Sequence, residues 1–477
     1  MPFPFVLPTT SHIDFSHFFS SNTHPSLPIA ASNARTPLRD ALKSYKRIAS
    51  TAQSGQLGSI SAALETYIPY LFALETGLSG GSVDGEEIDV VLLREPEVEW
   101  RPTLTSAPLG REPSRAKLSS LDSEIFFVLQ VMAYVQTLLA RDALRAIYRN
   151  DGAPPEPEAR AQTISKAMKH LLDASSIHKY LFHKASTCQS TPNGPADISS
   201  SVLNALASLA LAEATLIAVL KDDPYPVAVA EERNKSSKDW MFKAPDLKAS
   251  RLNLLVRICM GAAEHAGQAA ATLRNAKGVD EDLVAYVDDL RRTARAKAAR
   301  FQGIGVEAEG KIGEGISLIR GAKKELGFSG DDEGKVSGLS KLKRGWQEKK
   351  EEKKVRKGDS SWGADGGRFE EGRVLDMLEK KWVKANDTYS MHLIPSSDSL
   401  MTGLPSGRDF HKTPAYATPS LAEDILARMR APPDPKDLDA YKHAVYSDDS
   451  SSETEQDEAP GAYPGTVRQY SSNTPYY

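Results

Sequence analysis

Three histidines, His170, His178 and His183, fall close together in the chain, and imidazole is the commonest side chain for holding a metal. Their spacings of eight and five differ from the i, i+4 step that puts two rings on one ion from one helix face. No Asp or Glu cluster joins them, so packed or solvated histidines are expected. Gly303, Gly305 and Ala308 match the small-residue pattern of a dinucleotide loop. That chemistry needs a strand before the loop, so that backbone amides meet a pyrophosphate at a helix start. Here a basic helical stretch precedes it, and the glycines read as a helix–helix junction. The two cysteines, Cys188 and Cys259, lack a basic or glycine-rich setting that would activate a thiol. No phosphate loop and no serine elbow occurs. Neither a catalytic residue, a cofactor nor a metal is expected.

The elements that would position such groups are long helices. Leu121–Ile147, Ile164–Lys184, Ser200–Lys221 and Lys248–Lys277 repeat apolar residues every three to four positions. Ile164, Met168, Leu171 and Leu172 form one such stripe, with Lys166, Lys169 and Asp173 on other faces. This period marks helices with a buried face, and alanine at the crossings lets axes approach closely. Two runs, Ile125–Ala140 and Leu203–Leu220, approach the length of a membrane span but carry polar residues, Gln130, Gln136 and Glu213 among them. They read as helices buried on most sides, since a span needs roughly 20 apolar residues.

Arg39–Ile48 and Ser59–Glu75 read as further helices, and residues 1–37 as extended. Ile88–Leu93 and Val98–Leu104 form short β-like runs about Pro96. Asp151–Glu158 and Thr191–Pro195 are loops, with Ser199 or Ser200 capping the next helix. Val279–Phe301 and Val306–Leu326 make two helices parted at Gly303 and Gly305. Within Lys341–Lys357 there are nine basic and three acidic residues, a local charge of +6. The chain closes with an acidic serine cluster, Ser447–Glu458.

Composition sets bounds. The 477 residues carry a net charge of −4, so no global field draws the chain to nucleic acid or to an anionic membrane. Two cysteines exclude a disulfide framework and suit a reducing compartment. One local exception is Arg291, Arg292 and Arg295, on a helix whose apolar side, Leu283, Val287 and Leu290, faces the core. Projecting outward, these arginines are the expected contact with an acidic membrane.

The order of elements carries a resemblance. Leu64–Glu75, then Val98–Leu104 with Trp100, then Leu121–Leu144, is similar to the opening of the BRO (Bro-one) domain of ALIX-like endosomal adaptors. Lys166–His183 resembles a later helix of that family. Leu206–Lys221, with Glu213 following Leu211 and Ala212, resembles the next. Asn386, Asp387 and Tyr389, followed by Ile394 and Pro395, resemble its closing extended segment.

The resemblance implies a mainly α, curved, TPR-like helical domain with a small β element. It covers residues 1–326 as the main part and 380–411 as the closing segment, while composition marks 327–379 as a basic insertion and 412–477 as a tail without a packed core. It implies a cytoplasmic, non-enzymatic adaptor recruited to plasma membrane or endosomes. Such an adaptor would act in ambient alkaline-pH signalling, upstream of proteolytic activation of the PacC transcription factor. The implied partners are the C-terminal amphipathic helix of the ESCRT-III filament subunit and a calpain-like protease complex, with weak membrane contact and no nucleic acid. Where ALIX-like domains have large apolar residues in the filament-binding patch, this chain has Thr215, Ala228 and Glu232. A shift by one position would move the patch to Leu216, Leu220 and Val229. The alternative is an α-solenoid scaffold that binds nucleic acid or acidic proteins through its basic insertion.

Overall fold

The computed structural model describes residues 1–107, 112–148, 156–187, 194–232, 247–328, isolated positions between 345 and 359, and 361–432. Met1–Arg430 forms one compact unit. A second unit, Ala431–Tyr477, lies almost wholly outside the described residues, as do the acidic serine cluster, Cys188 and much of the 341–357 basic run.

The first helix, α1 (Leu27–Arg47), begins earlier than the polar, proline-bearing sequence suggests. Pro28 sits in the first turn, where no amide hydrogen is needed, and Pro37 is carried inside. The helix persists because Leu27, Ala31, Leu38 and Leu42 are buried on one face. α2 (Leu57–Leu78) packs beside it. The strands are short. β1 (Thr9–Thr10), β6 (Glu97–Arg101) and β7 (Ala116–Ser119) form one antiparallel sheet, with Thr10 opposite Trp100 and Glu97 opposite Ser119. β2 (Phe19–Ser20) pairs β5 (Val91–Leu92), and β3 (Ser82–Val83) turns into β4 (Glu86–Glu87) through Asp84 and Gly85, both at positive φ. An Asp-Gly pair suits that tight turn, because both central residues must be left-handed.

A single buried carboxylate ties this sheet to three helices. Glu124 accepts from Trp100 Nε1 at 2.7 Å, from Arg35 Nε at 2.7 Å and from the Tyr67 hydroxyl at 3.0 Å. Trp100 also stacks on Phe127. Both Glu124 and Phe127 belong to α3 (Leu121–Tyr148).

α4 (Pro157–Thr187), α5 (Ser200–Val219), α6 (Tyr225–Glu232), α7 (Ala249–Asn275), α8 (Glu281–Ala308) and α9 (Ile312–Glu325) follow in turn. Each long helix packs on the next long one along the chain. Ser199 caps α5, its hydroxyl accepting from the Val202 amide. α3 and α5 are long and apolar enough to cross a membrane, yet their most apolar windows are 83% and 89% buried within the protein. They are the two runs read from sequence as core helices. α8 does not break at Gly303 and Gly305. It runs through to Ala308, and the chain turns at Gly310, where φ is +84°. A Cβ on Gly315 would stand 3.2 Å from the Gly303 carbonyl, so these glycines serve the close crossing of α8 and α9.

The closing part differs from its expected boundaries. Trp362 is already buried, and α10 (Arg368–Ala385) buries Val374, Leu375, Met377, Leu378 and Trp382. Packed structure therefore resumes well before residue 380. The sequence does read as a helix over Phe369–Lys384, so it is the domain boundary at 380, and not the helix, that the structure moves. Between 386 and 411 the chain forms a π-turn, Asn386–Ser390, and a short helix, α11 (Ser397–Thr402). Beyond 411 it stays on the domain. Lys179 Nζ donates to Thr413 at 2.8 Å, Tyr416 lies against Tyr180, and α12 (Glu423–Met429) buries Leu426 and Met429. A tail beginning at 412 is thus corrected: the packed chain reaches Met429.

Candidate partner-binding face

α5 is the helix on which the candidate residues stand, and it is covered on several sides. On one, the N-terminal segment buries Phe3 and Phe5, and the Phe3 amide donates to Glu213 at 2.8 Å. The Tyr286 hydroxyl donates to the same Glu213 oxygen at 2.7 Å. Burial pushes the Glu213 carboxyl up to about 7, against these donors. On another side the closing segment crosses. The Arg408 amide donates to the Arg257 carbonyl at 3.0 Å, and the Gly407 amide to Glu264 at 2.8 Å. A Cβ on Gly261 would stand 2.6 Å from the Arg408 carbonyl, so only glycine lets the segment lie this close to α7.

Leu216, Leu220 and Val229 are 7%, 8% and 8% exposed. The first two line a cavity of about 30 Å³ shared with Glu213, Lys297, Gly366, Gly367 and Glu370. Val229, on α6, packs in the main core. The three therefore do not form an open strip. The returning chain at Gly366 and Gly367 closes part of that cavity, and Trp362 anchors it: Arg141 donates to its carbonyl at 2.5 Å and lies over its ring. Thr215 is buried and donates to the Leu211 carbonyl at 2.7 Å.

Beside the cavity lies a charged group that sequence reasoning missed. Arg300 donates to Glu371 Oε1 and to Asp223 Oδ2, each at 2.6 Å, and Lys297 Nζ reaches Glu371 Oε2 at 2.6 Å. All four side chains are buried. Burial alone would raise the Asp223 pKa, but Arg300 and Lys297 outweigh it and hold the carboxyl below its usual value. Burial would lower Arg300, and its two carboxylates outweigh that and raise it. This clasp joins the α5–α6 turn, α8 and α10, so α10 is fastened by charge as well as by apolar contact.

The arginines expected at a membrane stand one to two turns earlier on α8. Arg291 pairs with Asp288 and Glu325 at 3.3 Å, Arg292 with Asp288 at 2.8 Å and Arg295 with Glu325 at 3.6 Å. Leu283, Val287 and Leu290 face the core. The arginines are half-exposed and already matched to carboxylates.

No group of three metal-binding side chains occurs among the described residues. His170 Nδ1 meets Gln136 at 2.6 Å, while His178 is buried and burial pushes its pKa down to about 3. Cys259 is buried, and burial pushes its thiol up to about 12, so it is not a nucleophile at neutral pH. The arrangement offers surfaces and rigid crossings.

Comparison with known proteins gives this scaffold its class. Over 93% of its length the chain superposes on ALIX in complex with the SIVmac239 PYKEVTEDL late domain, with a TM-score of 0.52 and 14% identity, covering 53% of that protein. The ALIX BRO1–CHMP4C complex aligns with a TM-score of 0.47 and 15% identity, over 88% of this chain and 95% of that one. The likeness to ALIX is one of fold, a mainly helical scaffold. No family model matches the sequence. The chain is 42% identical, over 98% of its length and 99% of the relative's, to the pH-response regulator protein palC of Emericella nidulans. It belongs to the palC family of pH-response regulators.

Proposed function

We propose that the chain is a non-enzymatic adaptor in ambient alkaline-pH signalling. It binds the C-terminal amphipathic helix of the ESCRT-III filament subunit and is required for proteolytic activation of the PacC transcription factor. It works in the cytoplasm, recruited to the plasma membrane or endosomes, where a calpain-like protease complex is its further partner. The observation that carries this reading is the identity to palC along nearly the whole chain. Full-length similarity keeps the scaffold and its surfaces together, which a fold-level likeness alone does not.

The filament helix is assigned to the α5–α6 region about Leu216, Leu220 and Val229. An amphipathic helix docks by laying its apolar face in a groove. The small exposures of these side chains mean that docking on them requires the residues packed over them to give way, or that the helix touches only their edges. A strain lacking this gene, shifted to alkaline medium, tests the pathway role. Complementation with this chain restores PacC processing on the proposed reading. Normal processing in the null strain contradicts it.

A further inference from the structure

Three large apolar side chains project from one short stretch. Tyr389 is 75% exposed, Met391 79% and Leu393 90%. They do not sit on a loose loop. Asn386 is buried and holds the stretch at both ends of a ring: its Oδ1 accepts from the His392 amide at 2.9 Å, and its Nδ2 donates to the His392 carbonyl at 3.0 Å. The Met391 amide donates to the Asn386 carbonyl at 2.8 Å, and Met391 adopts a left-handed φ of 50°. Behind it, a Cβ on Gly313 would lie 2.3 Å from the Leu393 carbonyl, so α9 receives this backbone with no room to spare. The main chain is pinned while its apolar side chains face water.

The charges around this tip are sorted. Arg320 pairs with Glu379, Lys323 with Asp376 and Glu379, and Lys311 with Glu309. Lys381 faces Glu307. Lys380 and Lys384 stand one turn apart on the last part of α10, exposed, with no ion-pair partner among the described residues. They share a cleft with Asp387 and Thr388, at the root of the tip. Asp376 and Glu379 line the same cleft but are engaged by Lys323 and Arg320, which leaves Asp387 as the further carboxylate beside them.

We infer that residues 387–393, with Lys380 and Lys384, form a membrane-contact wedge that takes the anionic surface of a lipid bilayer. Apolar tips beside basic side chains suit the bilayer boundary, where rings and thioethers enter the acyl region while ammonium groups stay among headgroups. A single Tyr, Met and Leu standing clear of the surface suit a deformable lipid phase better than a flat protein face. The anchored backbone means that little ordering is lost on contact. The charge excess is small, so the attraction is weak and fades within a Debye length of about 8 Å at physiological salt. This surface differs from the arginines of α8, each of which is engaged by Asp288 or Glu325, and it does not depend on where the filament helix docks.

The test is co-sedimentation of the full chain with phosphatidylcholine vesicles, with and without phosphatidylserine. The wild type is expected to bind the mixed vesicles and to be released by salt. Replacing Tyr389, Met391 and Leu393 together by Ser should lower the bound fraction about tenfold, with an unchanged thermal melt, because these side chains pack on little. Lys380→Glu with Lys384→Glu should remove the preference for phosphatidylserine. An environment-sensitive dye on Leu393→Cys should shift to the blue only with vesicles present. A wild type that ignores both vesicles, or a triple variant that binds as the wild type does, overturns the assignment. In the first case the surface passes to a protein partner.

Discussion

Helix α8 carries two sets of cations in different surroundings. Arg291, Arg292 and Arg295 sit at the half-exposed end, each beside Asp288 or Glu325. Lys297 and Arg300, one to two turns on, are buried against Asp223 and Glu371. Residue type and helix are shared, and the surrounding solvent differs. Exposed pairs gain little because water already solvates both partners. Buried pairs have lost that water, so each charge depends on its partner and on good geometry. The first set shares two carboxylates among three arginines, so each charge is paired but a positive excess stays at the surface. The second fixes where the chain must return after its basic insertion.

Several variants would break or sharpen this contrast. The largest effect is expected from Arg300→Ala or Glu371→Ala, each of which strands a buried charge at a cost of about 3–5 kcal/mol. Chemical denaturation measures it, and loss of protection in α10 by hydrogen exchange should accompany it. A change within error would mean that the clasp is open in solution.

Glu213 is the intermediate case: it is buried, hydrogen-bond donors meet it, and the Met1 amine and Arg141 act on it, but burial outweighs them all. Its pKa rises from 4.5 to about 7 on folding. The folded state then holds more protons than the unfolded state between these values, so this group's contribution falls as pH rises through that window. Glu213→Gln removes the effect. Relative to wild type, the variant should be less stable at pH 5 than at pH 7.5, by about 3 kcal/mol at most. His178 acts with the opposite sign in both proteins, its contribution being lost as pH falls from 6.5 toward about 3. The comparison must therefore be the difference between the two proteins, and parallel pH profiles would contradict the assignment. Arg291→Ala should cost the least, under about 1 kcal/mol, and less still at high salt.

The same contrast explains what was legible in the sequence. Leu203–Leu220 shows as a buried helix because apolar periodicity reports burial directly. Trp100 and the β runs at Ile88–Leu93 and Val98–Leu104 were visible for the same reason. The clasp was not, since its partners lie more than 70 residues apart and charged residues read as solvent-facing in any local window. The pattern that sends Arg291, Arg292 and Arg295 outward sends Lys297 and Arg300 with them, and the structure turns those two inward. α1 was shortened because Pro28 and Pro37 look like breakers. Leu216 and Leu220 read as helical, but the cavity they line is shared with Met1, Gly366 and Glu370, which no neighbouring sequence announces. The exposed triad of Tyr389, Met391 and Leu393 lies within a segment recognised from its likeness to a family, and only burial values set it apart.

The central claim is that this scaffold grips an amphipathic helix. Titration calorimetry of the full chain with the C-terminal helix of the ESCRT-III filament subunit tests it most directly. The account predicts saturable one-to-one binding with a negative heat-capacity change, because apolar surface is buried, and weaker binding by a folded Leu216→Ala variant. No heat and no binding at any concentration up to the limit of solubility, for a wild type shown to be folded, would contradict it.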